Sequence, residues 1–171
     1  ASRRREAIVA DEATQSENRV RRVLVLGGTG GTGREIVSLA LAAGYEVRVL
    51  VRAGGRAPTM QGVTLIEGAR DKAALERALD GCDAVASSLG TGISPFRKVT
   101  LLSESTRALV EAMAARRVER LVCITGIGAG DSRGHGGLLY DVVLRPIVLG
   151  TVYADKDRQE QIIRTSALDW V

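Results

Sequence analysis

Between Leu26 and Arg34 the chain places Gly27, Gly28, Gly30, Gly31 and Gly33 around Thr29 and Thr32, directly after the apolar run Val23-Leu24-Val25-Leu26. Glycines at this spacing serve one chemistry well. They let backbone N–H groups approach an anionic diphosphate, they supply the positive φ that a sharp turn needs, and they let the following helix pack tightly on the preceding strand. Gly28, Gly30 and Gly33 fit the spacing G-x-G-x-x-G, while Gly27, Gly30 and Gly33 fit the related G-x-x-G-x-x-G. Either register sets the diphosphate at a helix N-terminus, where unpaired amides and the helix dipole favour negative charge.

A second group with chemical meaning lies about 20 residues further on, where an Asp or Glu would bond the ribose hydroxyls of NAD(H). Here that place is taken by Arg52, followed by Arg56. A guanidinium can grip a 2′-phosphate in bidentate fashion, so NADP(H) is expected and NAD(H) is less favoured.

These residues need a strand, a turn, a helix and a second strand to position them, and the pattern supplies all four. After the turn, Ile36, Leu39, Ala40 and Ala43 recur at helical spacing, and Gly44 stands where a C-terminal cap belongs. Val47, Val49, Leu50 and Val51 then read as the second strand. The alternation continues: strands are expected at Val63 to Ile66, Ala84 to Ala86, Leu121 to Ile124 and Leu168 to Val171, the last cut short. Helices are expected at Ala73 to Leu79, at Val99 to Ala115 with Leu102, Thr106, Leu109 and Met113 on one face, and at Val152 to Arg164. Such alternation predicts an α/β fold, a doubly wound parallel sheet of the Rossmann type in the order 3-2-1-4-5-6. Its ligand should lie outside the carboxyl ends of strands one, four and five. After strand four, Ser88, Leu89 and Gly90 offer backbone groups to the adenosine ribose or the diphosphate.

Composition narrows the classes. The 171 residues suit one compact domain, and 45% hydrophobic with 26% charged residues is ordinary for a soluble chain. No apolar run reaches the roughly 18 residues of a membrane helix, so no membrane partner is expected. The net charge of +4 is spread along the chain and aromatics are only 3%, so the stacking platforms of single-strand nucleic-acid binders are lacking and no nucleic-acid partner is expected. Cys82 and Cys123 share no metal or redox spacing, read as buried small hydrophobes, and fit a cytoplasmic, reducing setting. Residues 1–20, with Glu6, Asp11, Glu12 and Glu17 among arginines, read as a polar N-terminal extension rather than a targeting signal, leaving 21–171 as the domain.

The turn from Gly27 to Gly33, the strand end Val49-Leu50-Val51-Arg52, the run Asp83-Ala84-Val85-Ala86-Ser87-Ser88-Leu89-Gly90 and the stretch Ser166-Ala167-Leu168-Asp169-Trp170-Val171 together resemble the atypical short-chain dehydrogenase/reductase group. Within it the chain is similar to small NAD(P)H-binding oxidoreductases of the biliverdin reductase B and flavin reductase type, with NmrA-like proteins as relatives. The resemblance implies that an Arg-Pro turn and a substrate-binding segment would follow residue 171, and that the sheet is truncated at strand six.

The same resemblance tests the catalytic residues. Short-chain dehydrogenases place a Ser after strand five and Tyr-x-x-x-Lys on the next helix. Here Thr125-Gly126 follows strand five, and Tyr153-Ala154-Asp155-Lys156 is one residue short of that spacing. Lys156, four residues before Glu160, resembles the lysine that bonds the nicotinamide ribose; Tyr153, Tyr140 and the Thr125 hydroxyl are the candidate proton donors. In Gly68-Ala69-Arg70-Asp71, Ala69 replaces an Asp that in relatives reaches the adenine, so that contact requires Asp71 to shift into its place. The loop from Gly126 to Leu138, around the single histidine His135, is expected to cover the nicotinamide end.

Two functional classes remain. The first is an NADPH-dependent reductase acting, as monomer or dimer, on a small planar molecule of flavin, quinone or tetrapyrrole type. The second is a non-catalytic NADP(H)-binding redox-sensing regulator of the NmrA-like kind.

Overall fold

The computed structural model describes residues 20–52, 54, 61–91, 99–125 and 150–171. Six strands, β1 (Arg22–Leu26), β2 (Glu46–Val51), β3 (Val63–Glu67), β4 (Ala84–Ser87), β5 (Arg120–Cys123) and β6 (Asp169–Trp170), form one sheet in the order β3-β2-β1-β4-β5-β6. Every pairing is parallel, for example Leu26 with Leu50 on one side and with Ser87 on the other. All carboxyl ends therefore emerge along one edge. The helices are α1 (Gly31–Ala42), α2 (Lys72–Ala78), α3 (Leu101–Arg116) and α4 (Gly150–Arg164). The expected topology is the observed one, with element ends within about two residues of those read from the pattern.

Both faces of the central strands are covered, which is why β1 reads as an unbroken apolar run: Leu24, Val25 and Leu26 are essentially inaccessible. On one face α1 packs Val37 over Val25, Val47, Val49 and Val51. On the other, Leu24, Leu26, Val85 and Leu121 meet Leu75 and Leu79 from the α2 region, Leu109 and Met113 of α3, and Ile163 of α4. The face predicted for α3 is buried throughout, Leu102, Thr106, Leu109 and Met113 all lying inside.

The face predicted for α1 requires correction. Leu39 is 69% exposed and Ala43 lies outside the helix as its C-cap, while Gly33 and Val37 are the buried positions. The stripe inward runs through Gly33, Ile36, Val37, Ala40 and Leu41, so Ile36 and Ala40 face the core as expected, and the glycine at 33 lets the first turn of the helix sit on the Gly27–Gly28 backbone. Gly44 does close the helix. With φ +84° it donates to Leu41 O at 3.0 Å while Tyr45 donates to Ala40 O at 3.0 Å, the paired pattern of a left-handed C-terminal cap. Cys82 is buried as expected, and Cys123 only partly so.

Candidate dinucleotide site

The turn after β1 is built from three glycines with different duties. Gly27 carries the positive φ of +78°, and a Cβ there would lie 2.7 Å from the Ser88 carbonyl oxygen, so both conformation and space demand glycine. Gly33 packs the first turn of α1 against the turn itself, since a Cβ there would collide with the Gly27 carbonyl. Gly30 is different. Its φ of −78° is open to any residue, and its added Cβ would meet only Gly27 O at 3.4 Å, so the positive φ that the turn needs is carried by Gly27 and not by Gly30. At Gly31 a Cβ would meet nothing within 4 Å. Gly30 is also the N-cap of α1 and has no side chain with which to cap it. Gly30 to Gly33, at this helix start without a side-chain cap, border one open space, the arrangement that an anionic diphosphate completes.

That space is a cavity of about 650 Å³ at the carboxyl edge of the sheet. Gly27, Thr29, Gly30, Gly31, Thr32, Gly33, Arg52, Ser88, Leu89 and Gly90, all marked by the sequence, line it together. Ser88 is fixed there by its own amide and hydroxyl, which donate to Leu26 O at 2.9 and 3.1 Å. The volume lies within the roughly 300–1,000 Å³ of small-molecule and cofactor sites. A cradle with bare helix amides, glycines at the points of closest approach and a cation at one end fits a dinucleotide.

The cavity reaches further toward β2 and β3 than expected and does not extend to β5. Gly68 and Arg70, from the loop after β3, line it, as do Thr91 and Leu101. The carboxyl end of β5 opens instead onto a separate hollow of about 160 Å³ walled by Cys123, Thr125, Glu160, Ile163, Arg164, Trp170 and Val171. Thr125 therefore does not share the glycine-lined cavity. Burial pushes the Cys123 thiol pKa up, opposed by a hydrogen bond with Ser87 and by the charge of Lys156.

Lys156 and Tyr153 lie on α4, the Lys156 Nζ 6.0 Å from the centre of the Tyr153 ring, and neither lines the glycine cavity. Among the described residues no ion pair joins Lys156 to Glu160. Asp71 does not shift toward an adenine. Its carboxylate accepts from the Ala74 amide at 2.9 Å and caps α2, which holds it out of the cavity. Arg56, Tyr140, His135 and the loop expected to cover the nicotinamide end lie outside the described residues.

Sequence reasoning passed over Asp155, the fully buried residue between Tyr153 and Lys156. Its carboxylate accepts from the Leu102 and Ser103 amides at 2.8 and 3.3 Å, from the Ser103 hydroxyl, and from Arg158 at 3.3 Å. It caps α3 from another helix, which Thr100 at the N-cap does not do with its own side chain.

A doubly wound sheet carrying this cradle at the switch between β1 and β4 defines a dinucleotide-binding domain. The chain belongs to the NAD(P)H-binding domain family, which it matches over residues 27–171. Its fold is that of the short-chain dehydrogenase/reductases. A wide-type member from Veillonella parvula, solved with NADP, superposes with a TM-score of 0.70 at 14% identity, over 89% of this chain and 67% of that one. ChuY, an anaerobilin reductase of Escherichia coli, gives 0.70 at 22% identity over 87% and 69%. WbmH of Bordetella bronchiseptica, solved with NAD+, gives 0.69 at 20% over 89% and 55%. The chain thus spans about two thirds of the first two and about half of the third. Among the described residues no helix is long and apolar enough to cross a membrane, and no cluster of side chains could hold a metal ion.

Proposed function

We propose that the protein is an NADPH-dependent reductase that delivers hydride to a small planar acceptor of the flavin, quinone or tetrapyrrole type. The observation that carries this reading is the place of Arg52, which leaves the end of β2 into the same cavity as the glycine turn, at a point where an acidic residue would select NAD(H). The likeness to ChuY, a reductase, supports the direction of the reaction. When bound, the reduced nicotinamide supplies the hydride, and the protein's tasks are orientation and exclusion of water. The amides at the start of α1 hold the diphosphate, Arg52 takes the 2′-phosphate, and Ser88, Leu89 and Gly90 lie along the ribose and diphosphate. Lys156 would position the nicotinamide ribose, and Tyr153 and Thr125 would supply a proton to the acceptor, where the nicotinamide half extends beyond the glycine cavity, whose lining includes none of the three.

Calorimetry tests the cofactor assignment. Arg52→Ala should weaken NADPH by about 1.5–3 kcal/mol, the range for hydrogen bonds to a charged group, and leave NADH almost unchanged. Equal losses for both would show that Arg52 does not read the phosphate. The catalytic assignment is tested by NADPH oxidation over flavins, quinones and biliverdins with the full-length protein. There Lys156→Ala should lower the rate on the order of tenfold or more, because misplacing a hydride donor by even about 1 Å is costly. Tight NADPH binding with no oxidation of any acceptor, with or without Lys156, would favour the non-catalytic regulator.

A further inference from the structure

Arg70 is a cation that the reading above leaves without a task. It follows β3, lines the glycine cavity together with Arg52, and is partly buried there. Its backbone is pinned on both sides. Val51 and Glu67 are in register, and the Gly68 amide donates to Val51 O at 3.0 Å, so the chain leaves β3 tied to the strand end that carries Arg52. One residue beyond Arg70, the Asp71 cap anchors α2. Gly68 allows this close passage, since a Cβ there would lie 2.7 Å from that of Ala74.

Two guanidiniums converging on one cavity repel each other, and nothing among the described residues relieves them. The ion pairs present use Arg22 with Glu46, Arg116 with Asp80, Arg120 with Asp169 and Arg158 with Asp155. Burial pushes the Arg70 pKa down, and the Arg52 charge pushes it further. A guanidinium stays protonated in proteins, so the strain is relieved by bringing in an anion rather than by losing a proton. One cation suffices for a monoanion, whereas a phosphate monoester carries close to two charges at neutral pH and three acceptor oxygens.

We infer that Arg70 and Arg52 together form a two-arginine clamp for the 2′-phosphate of the adenosine ribose, Arg70 being a second determinant of cofactor choice. The inference rests on the NADPH reading proposed above and adds to it a residue and a geometry: the phosphate sits between the ends of β2 and β3, gripped from both sides.

Adenosine 2′,5′-bisphosphate and 5′-AMP are the probes, because they differ only in the phosphate at issue. Titrated into the wild-type protein, Arg52→Met and Arg70→Met, the bisphosphate should weaken about ten- to a hundredfold in each variant, with 5′-AMP within about twofold of wild type. Circular dichroism checks the fold, and Arg70→Gln serves as a second variant with the same expectation should the methionine variant misfold. A loss in Arg70→Met shared equally by both probes would assign Arg70 to the adenine or the 5′-phosphate, and an unchanged affinity for both would leave it a solvated arginine; either overturns the clamp. If Arg52→Met alone loses discrimination, the NADPH reading stands and the clamp falls. A wild-type protein that binds both probes equally would remove the two together.

Discussion

Gly30→Val is expected to lower affinity for both NADPH and NADH on the order of a thousandfold while leaving the circular dichroism spectrum and unfolding midpoint near wild type. The two halves of that expectation come from different observations. Gly30 has an ordinary φ of −78°, and an added Cβ would meet only Gly27 O at 3.4 Å, so the folded turn can accept a side chain. The same side chain would stand in front of the bare amides of α1, in the space that a diphosphate must enter. Losing two charge-assisted hydrogen bonds at about 1.5–3 kcal/mol each accounts for the magnitude. Gly33→Ala provides the contrast. There the new methyl would be driven into the Gly27 carbonyl, so stability should fall together with binding. Wild-type affinity in folded Gly30→Val would remove the cradle from the functional argument.

What could be read from the chain divides along the line between local and long-range determinants. The strand, turn, helix and strand around the glycines are local, because periodicity and turn chemistry act within a few residues. Hence Gly27, Thr29 to Gly33, Arg52 and Ser88 to Gly90 are found by type and spacing and lie on one cavity. Leu39 turns outward because a helical stripe can be drawn through several sets of apolar residues, and which set faces the sheet depends on how the helix start seats on the Gly27–Gly28 backbone. Arg70 was passed over because its nearness to Arg52 depends on the register of β3 against β2 and on one hydrogen bond across the sheet, neither of which leaves a trace in the spacing of residues 52 and 70. The residue types of Thr125, Tyr153 and Lys156 were legible, but where a side chain on α4 faces is fixed by how that helix docks.

That docking is what Asp155 controls, and Asp155→Ala is expected to destabilise the protein by about 2–4 kcal/mol. Leu102 is 53 residues away in sequence, so no local motif announces the contact. The substitution orphans the buried Leu102 and Ser103 amides at the start of α3, leaves the Ser103 hydroxyl only Thr100 O to donate to, and removes a negative charge from that helix's positive end. A lost cap costs about 0.5–2 kcal/mol, and each buried donor left unpaired about 1–3 kcal/mol, part of which water entering the gap recovers. For a chain of this size the unfolding temperature should drop roughly 5–15 °C, readable by calorimetry or by urea titration. Asp155→Asn keeps the shape and one acceptor oxygen, so it should lose about half as much. Lys156→Ala, next in the chain but without a hydrogen bond among the described residues, should unfold close to wild type. Comparing the neighbours separates two roles in the segment from Tyr153 to Lys156: a stability loss confined to position 155 makes the carboxylate the post on which α4 is rotated, and an unfolding temperature within a degree or two of wild type for Asp155→Ala would show that α3 is held without it.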